Sequence, residues 1–393
     1  MRADPLRYLQ PVLDELESQG SNTPVRVLGG EQCPRALVDG RAVVNLASNN
    51  YLGLTTHPRL RAAAIEATER YGVGAGSVRP IAGTMALHVE LERRLAEFKQ
   101  TEAALVFQSG FTANAGTVAG ILGRDDVVLS DELNHASIID GARLSRATIK
   151  VFPHRNVDAV RKMLKDLPPA QRKLIVTDGV FSMDGDLAPL PALCAVAEEF
   201  GAIMMVDDAH ASGVFGRNGR GTVDHFGLHG RVDVQVGTLS KALGSVGGYV
   251  AGSRLLVDLL RHRARPFVFS TAHPPAVPAT CLAALDVLCD EPWIIERLWE
   301  NTAFFKAGLE RLGFNIGTSE SPILPVMVGS TSLAMQFSNR LLQEGVFAVG
   351  IGFPIVPRGL ARVRTIVTAT HSTEDLRLAL DVLGKVGGEL GLV

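Results

Sequence analysis

A lysine at the end of an apolar run is the residue of this sequence best suited to covalent chemistry. Lys241 lies in the segment 237–244 (GTLSKALG), directly after the apolar run 232–236. Burial where a strand meets a loop would lower the pKa of the amine and leave it able to condense with an aldehyde. Pyridoxal phosphate (PLP) is the cofactor that needs such an anchoring lysine. Taken alone, a lysine in such a segment is more often an exposed loop residue.

A carboxylate follows an earlier apolar run. Residues 203–206 are followed by Asp207, Asp208, Ala209 and His210. A carboxylate at the C-terminal end of a strand is the partner that the pyridinium nitrogen of PLP requires. This segment alone has two other interpretations, the capped start of a helix and half of a metal site. The order of the two motifs, aspartate before lysine and each after a strand, favours the cofactor.

Two further segments supply groups for the rest of such a cofactor. Residues 108–114 follow a predicted strand and open a helix, so the N–H groups of Gly110 and Phe111 are placed to hold a phosphate. Thr238 adds a hydroxyl just before the lysine, and His135 is placed to stack on a flat ring. Each segment also has a structural interpretation, a tight strand–helix turn for the first and a hydrogen-bonded loop histidine for the second.

The elements that must position these groups alternate along the chain. Helical patterns separate short strands that are apolar throughout, at 104–107, 126–129, 149–152, 174–177, 203–206, 232–236 and 249–251. Such strands belong to a sheet covered on both faces, so the fold class is α/β, with a large, doubly wound, mostly parallel sheet. Ligands bind beyond the C-terminal strand ends of such sheets, where the candidate groups lie.

Changes of pattern divide the chain into three predicted parts. Residues 1–50 form an N-terminal arm with an amphipathic helix, a stretch with Gly and Pro, and a hairpin turning at Asp39-Gly40. Residues 51–288 form the large PLP-binding domain. Residues 289–393 form a smaller α+β domain, with predicted helices and strands near 294–312, 323–328, 332–344 and 361–366.

Composition narrows the classes of function. The chain has 393 residues, 46% of them hydrophobic, and a formal net charge of -2. Near-neutrality argues against nucleic acid or an anionic membrane as the main partner. The four cysteines form no Cys-x-x-Cys pair, which argues against a zinc site or disulfide framework and favours a reducing cytoplasm. No run approaches the ~18 apolar residues of a membrane span, and we expect a soluble protein.

The glycine-rich run 72–76 looks like a dinucleotide fingerprint, but it follows the helical stretch 61–70 instead of a strand. We therefore interpret it as a loop, and a nicotinamide-dependent dehydrogenase is disfavoured. A non-catalytic scaffold of the same fold would be expected to lack Lys241 or Asp207, and both are present.

The chain resembles the α-oxoamine synthases, fold-type I (aspartate aminotransferase-like) PLP enzymes that join a small amino acid to an acyl-CoA. The matching segments cover nearly the whole chain in family order, at 49–53, 83–84, 88–91, 134–137, 178–185, 206–210, 219–221, 238–241 and 362–365.

The resemblance implies a role for each candidate around the cofactor ring. Lys241 anchors PLP and then acts as base on the α-carbon of the amino acid. Asp207 pairs with the pyridinium nitrogen, His210 bonds the phenolic oxygen, and His135 stacks on the ring. Ser182 lies near the cofactor and the incoming carbonyl.

The resemblance also implies how the ends of the bound molecules are held. Asn49 and Arg364 grip the substrate carboxylate, a task that suits the bidentate guanidinium. The phosphate is held by Gly110, Phe111 and Thr238 and, from the neighbouring subunit of a homodimer, by Ser270 and Thr271. From the sequence alone, residues 267–271 are better interpreted as a buried strand end within one subunit, and the resemblance reverses this preference.

The substrates are predicted from which members of the family each sequence segment matches best. Segments 134–141 and 178–185 and the tail 356–359 are most similar to 2-amino-3-ketobutyrate CoA ligases (glycine C-acetyltransferases), which serve threonine breakdown. Segments 237–241 and 247–249 are closer to 8-amino-7-oxononanoate synthases, which use alanine and pimeloyl-CoA in biotin biosynthesis. We expect the glycine and acetyl-CoA activity, with the synthase as the alternative and a dual activity also open. Arg26, a basic residue of the arm, does not decide between them.

Overall fold

A helix and a hairpin begin the fold. The computed structural model describes residues 4–18 and 25–393, so part of the predicted arm, 1–3 and 19–24, lies outside the described residues. Helix α1 spans Leu9–Ser18, and strands β1 (Arg35–Val38) and β2 (Arg41–Asn45) pair antiparallel. Asp39 and Gly40 have φ values of 48° and 77°. Both are in the left-handed region that a tight Asp-Gly hairpin turn uses, and the predicted hairpin is confirmed.

A seven-stranded sheet forms the centre of the molecule. Its strands are β3 (Ala103–Phe107), β4 (Val127–Asp131), β5 (Thr148–Phe152), β6 (Lys173–Asp178), β7 (Ile203–Asp207), β8 (Val234–Thr238) and β9 (Gly248–Gly252). They lie in the order β3-β9-β8-β7-β6-β4-β5. The β4, β5, β6, β7 and β8 pairings are parallel, and β9 runs antiparallel to both its neighbours. The predicted large, mostly parallel sheet is confirmed.

The strands are apolar throughout because both faces of the sheet are covered. Along β6, Leu174 and Val176 pack in one core cluster with Met205, while Ile175 packs in another with Met204. Successive side chains of a strand point to opposite faces, so a sheet between two helical layers needs apolar residues at every position.

The helices that cover this sheet are α2 (Pro58–Tyr71), α3 (Ala86–Lys99), α4 (Gly110–Ile121), α5 (Ala136–Ser145), α6 (Val157–Lys165), α7 (Leu190–Phe200), α8 (Thr222–His225), α9 (Arg254–Arg263), α10 (Arg265–Phe269) and α11 (Ala276–Asp290). Short 3-10 turns occur at Leu54–Thr56 and Arg217–Gly219, and a π turn at Arg79–Gly83. The glycine-rich run 72–76 is a loop, as predicted. The strand interpretation of 267–271 is wrong, because α10 occupies most of it and has Pro266 in its first turn, where proline is favoured.

The C-terminal part is α+β, as predicted. Its elements are α12 (Trp293–Arg311), β10 (Ile323–Gly329), α13 (Thr331–Gln343), β11 (Val346–Phe347), β12 (Val349–Ile351), β13 (Ala361–Ile366) and α14 (Thr373–Glu389). Strands β10, β13 and β12 form an antiparallel sheet, while β11 adds in parallel to β2 of the N-terminal hairpin. Val44 and Leu46 accordingly share a core with Phe305 and Phe337. The boundaries at 50 and 288 stay predictions.

Within residues 4–18 and 25–393, no helix combines the length and apolar character that crossing a membrane would require.

Candidate active site

The C-terminal ends of β7 and β8 open into a cavity of about 220 Å³. Most of the predicted site residues line it together: Gly110, Phe111, His135, Ser182, Asp207, His210, Thr238 and Lys241. The structure therefore brings to one place residues that the sequence separates by more than a hundred positions.

Lys241 lies just beyond β8 at this cavity. Burial is the largest influence on its amine and lowers its pKa from 10.5 to about 8, and the charge of Arg364 acts in the same direction. The carboxylates of Asp207 and Asp178 oppose this shift without cancelling it. Among the described residues, Lys241 forms no ion pair. With a pKa of about 8, about a tenth of this amine is in its neutral, nucleophilic form at pH 7.

Asp207 ends β7 and is 4% exposed. Its Oδ2 accepts a hydrogen bond from Asn114 Nδ2 at 2.6 Å, and its Oδ1 accepts from Ala209 N at 2.8 Å. The second bond closes a turn, so neither acid of the pair starts an α-helix between β7 and residue 217. Among the described residues, no cluster of acids, histidines and cysteines is arranged to hold a metal ion. The interpretation of the motif as the capped start of a helix is wrong, since no helix begins there.

His135 caps α5 and is tied to Asp207 through two side chains. Asn114 Nδ2 also donates to Ser137 Oγ at 2.9 Å, and Ser137 Oγ lies 2.7 Å from His135 Nδ1. The Ser137 N–H also points to Nδ1 at 3.2 Å, so Nδ1 is the acceptor and the proton of the neutral ring lies on Nε2. Burial is the main cause of the lowered pKa of His135, and the charge of Lys241 acts in the same direction, so the ring is favoured in its neutral form.

Asp178 is a site residue that the sequence analysis left unassigned. It ends β6 beside Asp207, and its Oδ2 accepts the His135 backbone N–H at 3.0 Å. Burial and the nearby Asp207 raise its pKa well above the usual range. Two acids at adjacent strand ends thus differ in kind, since the protonated form of Asp178 is favoured.

His210 has a partner that the sequence analysis also left unassigned. Its Nδ1 lies 2.7 Å from the Tyr51 hydroxyl, and both side chains are buried. Burial, reinforced by the charges of Lys241 and Arg364, lowers the pKa of His210 well below 6.5, while burial raises the pKa of Tyr51. Both groups are therefore neutral and hydrogen-bonded to each other, and His210 lines the cavity.

Arg364, on β13, and Asn49 do not line the cavity, although the charge of Arg364 acts on Lys241 and His210. Arg364 Nη1 donates to the Ser182 carbonyl at 3.2 Å, and burial lowers the pKa of Arg364. Asn49 is half-buried, and its Oδ1 is buried without a hydrogen-bond partner among the described residues. A half-buried guanidinium without a carboxylate partner and an unpartnered amide oxygen are groups that a bound ligand would complete.

The start of α4 forms a cradle at the far end of the cavity. Ser109 Oγ accepts the N–H of Thr112, while the N–H groups of Gly110 and Phe111 lie in the first turn, where helices leave amides unpaired. Thr238 approaches so closely that a Cβ added at Gly110 would lie 3.4 Å from Thr238 Cβ. Helix N-terminal amides, a hydroxyl and a close backbone approach suit a phosphate.

Ser270 and Thr271 do not line this cavity. Thr271 forms a β-bridge with Val78 and accepts a hydrogen bond from Gln108 Nε2 on its carbonyl at 2.9 Å. Its side chain is exposed, and that of Ser270 is half-buried. The isolated chain therefore leaves both hydroxyls outside its own site. Arg26 also lies elsewhere, bonded to Asp39 and Asn339.

Comparison with known proteins decides the family. The Aminotransferase class I and II family matches residues 41–383. The chain belongs to this family. It is 59% identical to the 8-amino-7-oxononanoate synthase of Symbiobacterium thermophilum, over 98% of this chain and 99% of that protein. It is 55% identical to 8-amino-7-oxononanoate synthase 1 of Bacillus subtilis, over 98% of each.

Solved structures agree with this assignment. A serine palmitoyltransferase structure with a PLP internal aldimine has a TM-score of 0.95 and 34% identity, over 99% of this chain and 100% of that one. An 8-amino-7-oxononanoate synthase from Francisella tularensis has a TM-score of 0.75 and 25% identity, over 87% of this chain and 97% of that one. The fold-type I prediction is confirmed, and the protein is a PLP-dependent acyltransferase of the α-oxoamine synthase group, acting on an amino acid and an acyl-CoA.

The expected glycine C-acetyltransferase activity is wrong. Eight full-length relatives, from 52% to 59% identical, are 8-amino-7-oxononanoate synthases. The misleading segments, 134–141 and 178–185, include His135, Asp178 and Ser182 at the cofactor cavity. Both activities need the same groups around the cofactor. The sequence of these two segments therefore does not show which acyl group the enzyme uses.

The residues present fit PLP. A buried carboxylate, a lysine with a lowered pKa and an amide cradle with Thr238 line one cavity. These are the three fixed requirements of the cofactor, for its ring nitrogen, its aldehyde and its phosphate.

Proposed function

We propose that this protein is an 8-amino-7-oxononanoate synthase, which joins alanine to pimeloyl-CoA and releases CoA and carbon dioxide. The observation that supports this most strongly is the 59% identity, over nearly the full length of both chains, to a protein of that name. The cavity at the ends of β7 and β8 supplies the groups that such a reaction needs.

The central step is the removal of the alanine α-proton. When bound, PLP withdraws electrons from the α-carbon of the amino acid attached to it. Lys241 first holds the cofactor and then takes the α-proton on its Nζ, a task suited to an amine with a pKa of about 8. Asp207, held by Asn114, keeps its negative charge against the ring nitrogen.

Neutral side chains surround Asp207 and the ring nitrogen of the cofactor. His210, bonded to Tyr51, donates to the phenolic oxygen, and His135 presents its ring face to the cofactor. Arg364 binds the alanine carboxylate through guanidinium N–H groups, and Asn49 through its side-chain NH2. Ser182, whose carbonyl is held by Arg364, directs its hydroxyl to the carbonyl of the arriving thioester.

The last part of the proposed site binds the phosphate of the cofactor. Gly110, Phe111 and Thr238 bind the phosphate within one chain, and Ser270 and Thr271 reach the phosphate of a neighbouring subunit in a homodimer. The exposed Thr271 side chain supports this, since it is free to contact a second chain. A cytoplasmic location is in keeping with four free cysteines, two of them buried.

A CoA-release assay tests the function. The purified, PLP-loaded enzyme is given alanine plus pimeloyl-CoA and, in parallel, glycine plus acetyl-CoA. We expect release only with the first pair, accompanied by carbon dioxide. Faster release with glycine and acetyl-CoA would overturn the proposal.

Subunit mixing tests the shared phosphate site. Lys241→Ala subunits and Thr271→Glu subunits are each expected to be inactive. Mixed dimers should regain part of the activity, because one site of each is assembled from two intact halves. Mixed dimers that form and stay inactive would show that the site is built within one chain.

A further inference from the structure

A histidine outside the cavity lies between two buried carboxylates. His154 Nδ1 is 3.0 Å from Asp131 Oδ1, and its Nε2 is 3.0 Å from Asp186 Oδ2. The side chains of the two acids are 1% and 3% exposed. A neutral imidazole has only one N–H to donate, and an ionised carboxylate only accepts. Both hydrogen bonds therefore require the positively charged ring.

Each of the two acids belongs to a loop that brings a side chain to the cavity. Asp131 ends β4, accepts the backbone N–H of Leu133 at 2.9 Å, and precedes the loop that ends in His135. Asp186 closes the tight turn 181–186, in which Asp186 O accepts the N–H of Phe181 at 3.0 Å. That turn contains Ser182.

The ring of His154 also contacts the Ser182 turn directly. It meets the Phe181 ring edge-on, with 4.4 Å between centroids, and Phe181 is the residue before Ser182. On its other side the turn is held by the C-terminal sheet, since Arg362 Nη1 donates to the Met183 carbonyl at 2.9 Å. His154 thus connects the turn that contains Ser182 to the strand end that leads into the His135 loop.

We propose that His154 is a positioning residue, whose charged ring fixes the Ser182 turn against the His135 loop and so sets where the acyl thioester carbonyl is bound. This inference rests on the proposed function, because it concerns the acyl substrate of the same site.

The electrostatics of the cluster give the proposal a pH dependence. Burial lowers the pKa of His154, but its hydrogen bonds to Asp131 and Asp186 outweigh burial and raise the pKa from 6.5 to about 9. Arg155 also faces Asp186, with its Nη1 at 3.1 Å. Glu132 accepts the His154 backbone N–H, and Glu320 lies 3.7 Å from Arg155. A raised histidine pKa means that the stabilisation is complete below about pH 6.5 and is lost as pH rises through about 9.

Steady-state kinetics of the PLP-loaded enzyme separate positioning from a structural role. For His154→Gln we expect KM for pimeloyl-CoA to rise about tenfold, with kcat changed by less than about threefold. In the wild type, KM should rise above about pH 9, and this alkaline limb should be absent in His154→Gln. His229→Gln is the matched control, because His229 is also 3.0 Å from an acid, Asp224, but that acid belongs to neither the His135 loop nor the Ser182 turn.

Hydrogen exchange gives a readout that is independent of activity. At pH 7.5, amides of residues 180–187 should exchange about tenfold faster in His154→Gln than in wild type and be unchanged in His229→Gln. If His154→Gln does not fold, His154→Lys, which keeps its charge to higher pH, should move the alkaline limb of KM upward.

The outcomes distinguish the two proposals. Failure of the wild type to use alanine and pimeloyl-CoA would refute the proposed function, while the exchange of residues 180–187 would still test His154. Unchanged exchange together with an unchanged KM profile in His154→Gln would overturn the positioning role.

Discussion

Two lysine–aspartate neighbourhoods lie side by side at the end of β7, on either side of adjacent acids. Asp208 pairs with Lys99 Nζ at 2.8 Å, and both side chains are fully buried. Asp207 faces the cavity of Lys241, which forms no ion pair among the described residues. The same two residue types therefore make a closed ion pair in one place and an open, reactive site in the other.

The pKa values of the two lysines differ because Lys99 is in direct contact with a carboxylate and Lys241 is not. Burial lowers the pKa of both lysines, and it is the largest influence on each. For Lys99 the attraction and hydrogen bond of Asp208 outweigh burial and raise the pKa, whereas for Lys241 the more distant carboxylates leave it at about 8. Lys99 therefore stays charged and structural, and Lys241 is available as a neutral amine.

The largest expected effect comes from Lys241→Ala. Loss of both anchor and base should lower CoA release by at least about 10³-fold. The free energy of unfolding of the apoenzyme should change little, since no ion pair is broken. CoA release within tenfold of wild type, at equal folded concentration, would contradict the assignment of Lys241.

Lys99→Met should lower the stability of the protein, which Lys241→Ala should leave nearly unchanged. Removing the amine leaves Asp208 buried without its cation, which costs about 3–5 kcal/mol of stability. Urea unfolding followed by circular dichroism measures this. A loss below about 1 kcal/mol would mean that the Lys99–Asp208 pair is not the structural member of the comparison.

The adjacent acids offer a sharper test. Asp207→Asn removes the charge at the ring nitrogen while keeping the shape, so exchange of the alanine α-proton for solvent deuterium should slow about 10²-fold. Asp208→Asn should lower stability and leave the exchange rate per folded, PLP-loaded molecule near wild type. Reversed results would exchange the roles of the two acids.

Two glycine substitutions probe the same contrast with a smaller effect. Gly221 has φ of 100°, and an added Cβ would overlap Asp208 Oδ2 and lie 2.7 Å from Lys99 Nζ. Gly221→Ala should therefore cost at least about 1–3 kcal/mol of stability from the backbone conformation alone. Gly110→Ala, in the cradle, meets only an ordinary contact and should change the unfolding free energy by less than about 0.5 kcal/mol. Equal losses in the two variants would remove the contrast.

The sequence reveals residues that stand at strand ends, because strand position alone predicts where they meet. Asp207 and Lys241 follow β7 and β8, and the sheet brings them together as expected. The supporting contacts, from Tyr51 to His210 and from Asn114 to Asp207, span 159 and 93 positions. Local patterns do not report such pairs, although Tyr51 lies within a matching family segment.

The fold was likewise predictable where it depends on local sequence and not where it depends on distant strand pairs. Helices and strands of the C-terminal part lie within a few residues of their predicted places, because their apolar periodicity is local. The pairing of β11 with β2 was not predicted, since it joins residues 346–347 to 44–45. The acyl substrate was also misassigned, because two of the three segments compared, 134–141 and 178–185, carry residues of the cofactor cavity that both activities need.

Borohydride reduction of the PLP-loaded wild-type enzyme, followed by peptide mass spectrometry, tests the central claim most directly. Reduction makes the bond between the cofactor and its lysine permanent, so the labelled peptide identifies the amine that reacted. The account predicts the label on Lys241 and none on Lys99. A label on Lys99, or on any lysine other than Lys241, would contradict it.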